Sequence, residues 1–329
     1  MHVWAMEPWL KHMTEIYHKP VLLAECIEGL DIKPEGVYVD ATYGGGGHSR
    51  AIVQHLSEAG RLFAFDQDAD ALNNAPEDAR VKVIHGNFSH IKAYLRLEGV
   101  REVDGILADL GISSHQIDAP WRGFSTRSDG QLDMRMDVRQ ETTAADVVNT
   151  YDEEDLLRVL KLYGELPNAR QMAHEIVEAR KGGEIKTTGE LCEAVHRHLP
   201  KGYENKYLAM LFQAIRIEVN GELEALKALL SQSVELLKEG GRLAVISYHS
   251  LEDRLVKNFI KSGNFEGEVK KDFYGNPITP FKAVNRKVIT PSETELQDNN
   301  RSRSAKLRVG ERVGMCNCVN ALMCKCVNE

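Results

Sequence analysis

The chain has no apolar run near the ~20 residues needed to span a bilayer, which argues against a membrane protein. A signal-peptide core is missing too, because Glu7, Lys11 and His12 break up the N-terminus. Cysteine is scarce in the globular part, where only Cys26 and Cys192 occur. That leaves no disulfide framework, and a cytoplasmic location is expected. Positive charge is in deficit: 41 Lys and Arg stand against 49 Asp and Glu, and the net −8 argues mildly against a nucleic-acid partner. What remains is ordinary for a soluble globular protein, at 43% hydrophobic and 27% charged residues. At 329 residues the chain is long enough for a full α/β domain plus a smaller unit.

One further absence is more telling. The run Gly36-Val-Tyr-Val-Asp-Ala-Thr-Tyr-Gly-Gly-Gly-Gly-His48 reads as a strand ending in Asp40, a glycine bend and a helix start. Glycines let a ligand touch the main chain, and the helix start adds free N–H groups. A dinucleotide fingerprint G-x-G-x-x-G needs a third glycine, but that position holds Ser49 or Arg50. The fit is instead D-x-x-x-G-x-G, from Asp40 through Gly44 and Gly46, which resembles the first motif of S-adenosylmethionine (AdoMet) methyltransferases. AdoMet carries no pyrophosphate, so carboxylates and main-chain groups matter more than a phosphate cradle. Alone, the loop is equally an ordinary strand–helix turn.

The following strands repeat the pattern. Gly60–Asp66 ends in an acid that can accept hydrogen bonds from both hydroxyls of a ribose. Asp68 beside it fits a helix N-cap as well. Val81–Phe88 puts Asn87 and Phe88 where an adenine would lie, with Phe88 either stacked on the base or part of the core. Val103–Asp109 again ends in an acid. Asp40, Asp66 and Asp109 are therefore expected together at the carboxyl edge of a parallel sheet, where ligands of open α/β folds bind.

Helices near 48–57, 69–75 and 89–98 alternate with those strands, and the rhythm stops after Gly111. Residues 112–140 read as polar loops and 143–215 as helices, with Thr187–Glu190 as one helix start. The rhythm resumes with helix Glu222–Lys238, strand Gly241–Ser247 and helix Ser250–Lys261, opened by Ser250 and Asp253 in capping-box spacing. The expected fold is α/β, a Rossmann-like sheet with an inserted all-helical domain. Residues 17–111 and 216–312 make the discontinuous ligand-binding domain, and 112–215 the insertion overhanging its ligand edge. Charge is uneven as well. Residues 270–312 hold ten Lys/Arg and five acids, so this stretch at +5 leaves −13 for the rest. That reads either as a basic contact face or as a solvated segment.

The polar blocks carry the specific signal. They are His18-Lys-Pro-Val-Leu-Leu, Gly44–His48, Asp109-Leu-Gly-Ile-Ser-Ser, Arg122-Gly-Phe-Ser, Leu132-Asp-Met-Arg-Met, Phe212–Asn220 and His249-Ser-Leu-Glu-Asp-Arg254. In order, from about His18 to Arg312, the chain resembles the bacterial ribosomal RNA small-subunit methyltransferase H family. The resemblance implies methyl transfer from AdoMet to the exocyclic N4 of a cytidine in the decoding region of small-subunit (16S) rRNA. The implied partner is that rRNA, within the assembled or nearly assembled 30S particle, and a homodimer is compatible with it. Cofactor contacts carried over fall on Gly46, Gly47, His48, Asp66, Phe88, Asp109 and Gln116. Of these, Asp66, Phe88 and Asp109 also follow from the strand ends, whereas His48 and Gln116 rest on the resemblance.

The cytosine amine is a poor nucleophile because its lone pair is delocalised, so an acceptor that takes up developing positive charge would assist it. Amino methyltransferases often place an Asp/Asn-Pro-Pro-aromatic motif at the end of the fourth strand. Asp109-Leu-Gly-Ile lacks both prolines and the aromatic, which leaves Asp109 either a catalytic acceptor or a cofactor contact. Asp133, Arg135 and His249 are further candidates, with His249 otherwise a loop histidine beside a helix cap. Residues 1–16, with Met13 an alternative start, and 313–329 read as disordered appendages. The thiols Cys316, Cys318, Cys324 and Cys326 form C-x-C pairs rather than the C-x₂₋₄-C of structural zinc, so no metal is expected. A non-catalytic RNA-binding assembly factor and a methyltransferase of another nucleic acid are the alternatives. An intact glycine loop and strand-end acids favour the enzyme.

Overall fold

The apolar runs become strands, three of them ending in an acid: β1 (Val37–Asp40), β2 (Arg61–Asp66), β3 (Val81–His85) and β4 (Val103–Asp109). The computed structural model describes residues 20–275 and 277–314. The four C-terminal thiols, His18 and all of the expected appendages except Val313 and Gly314 lie outside the described residues. Helix α1 (Leu23–Leu30) precedes β1, and α2 (Gly47–Gln54), α3 (Ala69–Leu72) and α4 (Ile91–Leu97) carry the crossovers. Such crossovers make neighbouring strands parallel, as all these pairs are. Val103 to Ala108 are buried throughout, as expected of a strand covered on both faces.

After β4 the chain leaves the sheet for α5 (Ser114–Asp118), α6 (Ala144–Thr150), α7 (Glu153–Leu162), α8 (Ala169–Ala179), α9 (Thr188–Val195) and α10 (Glu204–Asn220). Helices α6 to α10 enclose an apolar core of their own, including Leu156, Val159, Met172, Leu191, Leu211 and Ile215. Thr187 and Glu190 form the expected capping box of α9. Helix α10 runs unbroken through the anticipated join at 215/216 and ends at left-handed Gly221. Helix α11 (Glu222–Leu236) then leads back to the sheet.

The sheet is completed by β5 (Leu237–Ser247), α12 (Ser250–Ser262), β6 (Phe281–Ala283), α13 (Glu293–Asp298) and β7 (Lys306–Arg312). Strand order is β3-β2-β1-β4-β5-β7-β6, with β7 antiparallel to both neighbours. The order reverses between β1 and β4, and the crevice beyond their carboxyl ends is where such a sheet binds a ligand. One apolar layer, with Leu229, Leu230 and Phe259, covers one face of the sheet, and another, with Leu30, Ile52 and Leu307, covers the other. No helix among the described residues is long and apolar enough to cross a membrane.

Two readings are corrected. Helix α12 is capped by His249, whose ring accepts from the Glu252 N–H while the Glu252 side chain accepts from the His249 N–H, not by Ser250 and Asp253. Asp253 is instead drawn to Arg308 at 2.7 Å and Lys306 at 3.6 Å on β7. The basic stretch 270–312 is also less free than its charge suggests. Arg301 pairs with Asp118, and Arg312 donates to the Val234 and Pro280 carbonyls. Lys306 to Arg312 is itself a strand, with Leu307 and Val309 buried between charged neighbours.

Candidate active site

The loop after β1 is folded by the atoms it needs to hold. Gly44 and Gly46 have φ of +51° and +71°, a region that glycine enters without cost. The Gly44 N–H donates to Asp66 Oδ2 at 2.7 Å, and Asp68 N–H to Asp66 Oδ1 at 2.8 Å. The glycine bend and the second strand are thereby locked together. Gly47 lies against Pro20, where an added Cβ would stand 2.2 Å away. Gly44, Gly45, Gly47, His48, Asp66, Phe88, Asp109 and Gln116 all line one cleft of about 1030 Å³. Gly46 sits beneath it, its Cβ direction blocked by the Tyr43 ring.

Asp40 does not join the wall. It is buried under the loop, accepting from Ser49 Oγ at 2.6 Å and Thr42 N–H at 3.1 Å. Its role is to hold the turn together, so two strand-end acids line the cleft rather than three. Burial pushes Asp66 up to about 6, against which its two N–H bonds pull only partly. Asp109 is likewise pushed up by burial to about 6, opposed by His48 and Tyr248. Tyr248 O–H donates to Asp109 Oδ1 at 2.8 Å, and His48 Nδ1 lies 3.8 Å from Oδ2. His48 Nε2 faces the Val21 carbonyl at 3.0 Å, so that nitrogen carries a proton.

Gln116 belongs to the frame as well as the wall. It completes a capping box with Ser113 and donates to Asp68 Oδ2 at 2.7 Å. Asp68 does cap α3, accepting from Asp70 N–H. It also meets Arg122, a residue quoted in the sequence blocks without a role. The Arg122 guanidinium is buried, bonding Asp68 at 2.8 Å, Asp70 at 3.2 Å and the Arg135 and Met136 carbonyls. Asn220 answers from α10, accepting from Met136 N–H and donating to the Met134 carbonyl. Asp133 and Arg135 bond to one another at 2.8 Å and do not line the cleft. Asn87 caps its own turn and donates to Gln67 at 2.7 Å.

At the insertion side the cleft is closed by Gln213, Arg216, Glu222, His249 and Glu252. Arg216 grips Glu222 with two bonds of 2.8 and 2.9 Å. Burial pushes Glu252 up, but His249 and Arg216 outweigh it and hold the carboxyl below its usual value. Of this group the sequence had offered only His249; its companions Glu222 and Glu252 were out of reach, because they stand on helices far apart in the chain.

The chain matches the family model described as the MraW methylase family over residues 15–313. The chain belongs to the MraW methylase family. It is 58% identical to the ribosomal RNA small subunit methyltransferase H of Flavobacterium johnsoniae over 300 residues, 91% of this chain and 99% of that one. The protein of the same name from Cytophaga hutchinsonii is 57% identical, covering 90% of this chain and all of its own. That from Parabacteroides distasonis is 54% identical over 92% and 100%. As an MraW-family methylase the protein is a methyltransferase, and the methyl donor of that family is AdoMet.

Proposed function

We propose that the protein transfers the AdoMet methyl group to the exocyclic N4 of a cytidine in small-subunit rRNA, acting in the cytoplasm on the assembled or nearly assembled 30S particle. The substrate class rests on the relatives' names, and the chemistry on one observation: Asp66 and Asp109 are two enclosed carboxylates at the carboxyl ends of β2 and β4, on either side of β1, each pushed up by burial to about 6. Carboxylates desolvated this far with no Lys or Arg paired to them among the described residues are suited to ligand donors. Asp66, fixed by Gly44 and Asp68, accepts the ribose hydroxyls. Phe88 offers a face to the adenine, and Gly47, His48 and Gln116 bound the remaining volume.

AdoMet supplies a methyl carbon already activated by its sulfonium. The protein's work is therefore alignment and care of the amine proton. As the amine lone pair forms the N–C bond, the S–C bond breaks to a neutral thioether, and N4 sheds one proton. Asp109 accepts that proton, its high affinity for one set by burial and its carboxylate oriented by Tyr248, while its main-chain N–H is held by the Thr42 hydroxyl. A carboxylate poised near 6 is a better base at neutral pH than an ordinary aspartate. Lys270, Lys271, Lys282, Arg286 and Lys287, outside the ion pairs that engage Lys306 and Arg308, offer phosphate contacts on an otherwise acidic body.

The test supplies labelled AdoMet with unmodified small subunits, naked rRNA or DNA. Label on cytidine N4 of the rRNA is expected. Label on DNA or protein alone overturns the reading.

A further inference from the structure

The insertion side of the cleft holds polar atoms that the cofactor half does not use. One atom each from Glu222, His249 and Glu252 lie within 4.8 Å of one another. The His249 side chain is 9% exposed, and its Nε2 is buried without a hydrogen-bond partner, 3.2 Å from Glu252 Oε1 but out of line for a bond. His249 Nδ1 serves as the α12 cap acceptor, so in the neutral ring the proton sits on Nε2. A buried donor left unsatisfied calls for an acceptor from outside. Beside it, both Glu222 oxygens are gripped by Arg216, which fixes the carboxylate yet leaves each oxygen a further lone pair. Tyr248 precedes His249 and bonds Asp109, so this cluster and the strand-end acid share one wall.

We propose that Glu222, His249 and Glu252 form the subsite that reads the target base, matched to the edge of cytosine. Cytosine presents N3, an acceptor, next to its N4 amine, a donor. His249 Nε2–H donates to N3, and the Glu222 carboxylate accepts from N4. Glu252 holds the imidazole in place, being itself held by the Tyr248 and His249 N–H groups at 2.9 and 3.3 Å. Uracil reverses the pattern: its N3–H meets the His249 donor and its O4 meets the Glu222 carboxylate. A site that pairs a base this way rejects the reversed one because both buried groups lose their partners. A divalent cation is the other chemistry that two carboxylates and an imidazole allow. Arg216 argues against it, since its guanidinium already spans both Glu222 oxygens.

This inference rests on the cytidine reading of the function. In the test, the protein is saturated with S-adenosylhomocysteine and titrated with cytidine or uridine, following the His249 ring resonances by NMR. Cytidine is expected to shift them at concentrations at least about tenfold lower than uridine. In parallel, His249→Asn, which keeps a cap-competent side chain, and Glu222→Gln are assayed on unmodified small subunits. Each is expected to lose roughly 10²-fold in kcat/KM with AdoMet affinity unchanged. Equal responses to the two nucleosides overturn the proposal, as do variants that methylate at the wild-type rate. Mn²⁺ that, with the protein alone, selectively broadens the His249 resonances at concentrations below those of cytidine overturns it in favour of a cation site. If the wild type labels no rRNA yet still prefers cytidine, the function reading fails and the subsite stands.

Discussion

At the strand ends, Asp66 and Asp109 are enclosed with no guanidinium or ammonium paired to them among the described residues, and burial pushes both up to about 6. Across the cleft, Glu222 and Glu252 are at least as enclosed, yet Arg216 grips the first and His249 flanks the second. The two halves handle the same desolvation cost differently. On the insertion side Arg216 supplies a permanent countercharge, which fixes Glu222 before any ligand arrives. At the sheet edge the cost is left standing, to be relieved by donors from the ligand. Under the proposed function, the carboxylates with no Lys or Arg partner are those that meet donors of cofactor and target amine, and the Arg216-held group frames the target base.

The largest expected effect breaks the uncompensated half. Asp109→Ala lowers kcat by about 10³-fold in a labelled-methyl assay, since it removes the acceptor for charge that develops on the amine. Unchanged turnover removes Asp109 from the chemistry. Next comes the frame. Arg122→Ala leaves Asp68 buried without its cation and costs about 3–5 kcal/mol, read as a lowered midpoint in urea denaturation. Asp66→Ala should weaken AdoMet by roughly 10²-fold in calorimetry while kcat at saturation holds, because the lost bonds are those to ribose.

The smallest effect sharpens the comparison through pH. The Asp109 pKa is higher folded than unfolded, so its penalty is absent below about pH 4, grows between about 4 and 6, and is complete above 6. Asp109→Asn can keep the Tyr248 bond through its oxygen and donate to His48 through its nitrogen. The ligand-free variant should thus be more stable than wild type by about 1–3 kcal/mol at pH 7 and equal to it near pH 4. A gain that persists at pH 4 contradicts a titration origin.

Much of the sheet edge was readable in one dimension because strands, bends and the acids at their tips are local features. Asp66, Phe88 and Asp109 could be selected from apolar runs and their ends alone. Asp40 looked identical in sequence, and only the Ser49 and Thr42 contacts show it turned under the loop. Strand β7 was hidden because Lys306, Arg308 and Glu311 dominate its composition, although Leu307 and Val309 alternate with them as a half-buried strand requires. His249 illustrates a shift of a single residue. Both His249–Glu252 and Ser250–Asp253 have box spacing, and cations on β7 claim Asp253. The insertion-side group was beyond sequence reading, since Glu222, His249 and Glu252 meet only when α10 and α11 return to the end of β5.

The central claim is that this cleft delivers an AdoMet methyl group to a cytidine amine of small-subunit rRNA. Its most direct measurement is mass spectrometry of nucleosides from unmodified small subunits incubated with the protein and isotopically labelled AdoMet. Labelled N4-methylcytidine in the rRNA, lost with Asp109→Ala, is the expected result. Label on another nucleoside, or on DNA or protein with none in the rRNA, contradicts it.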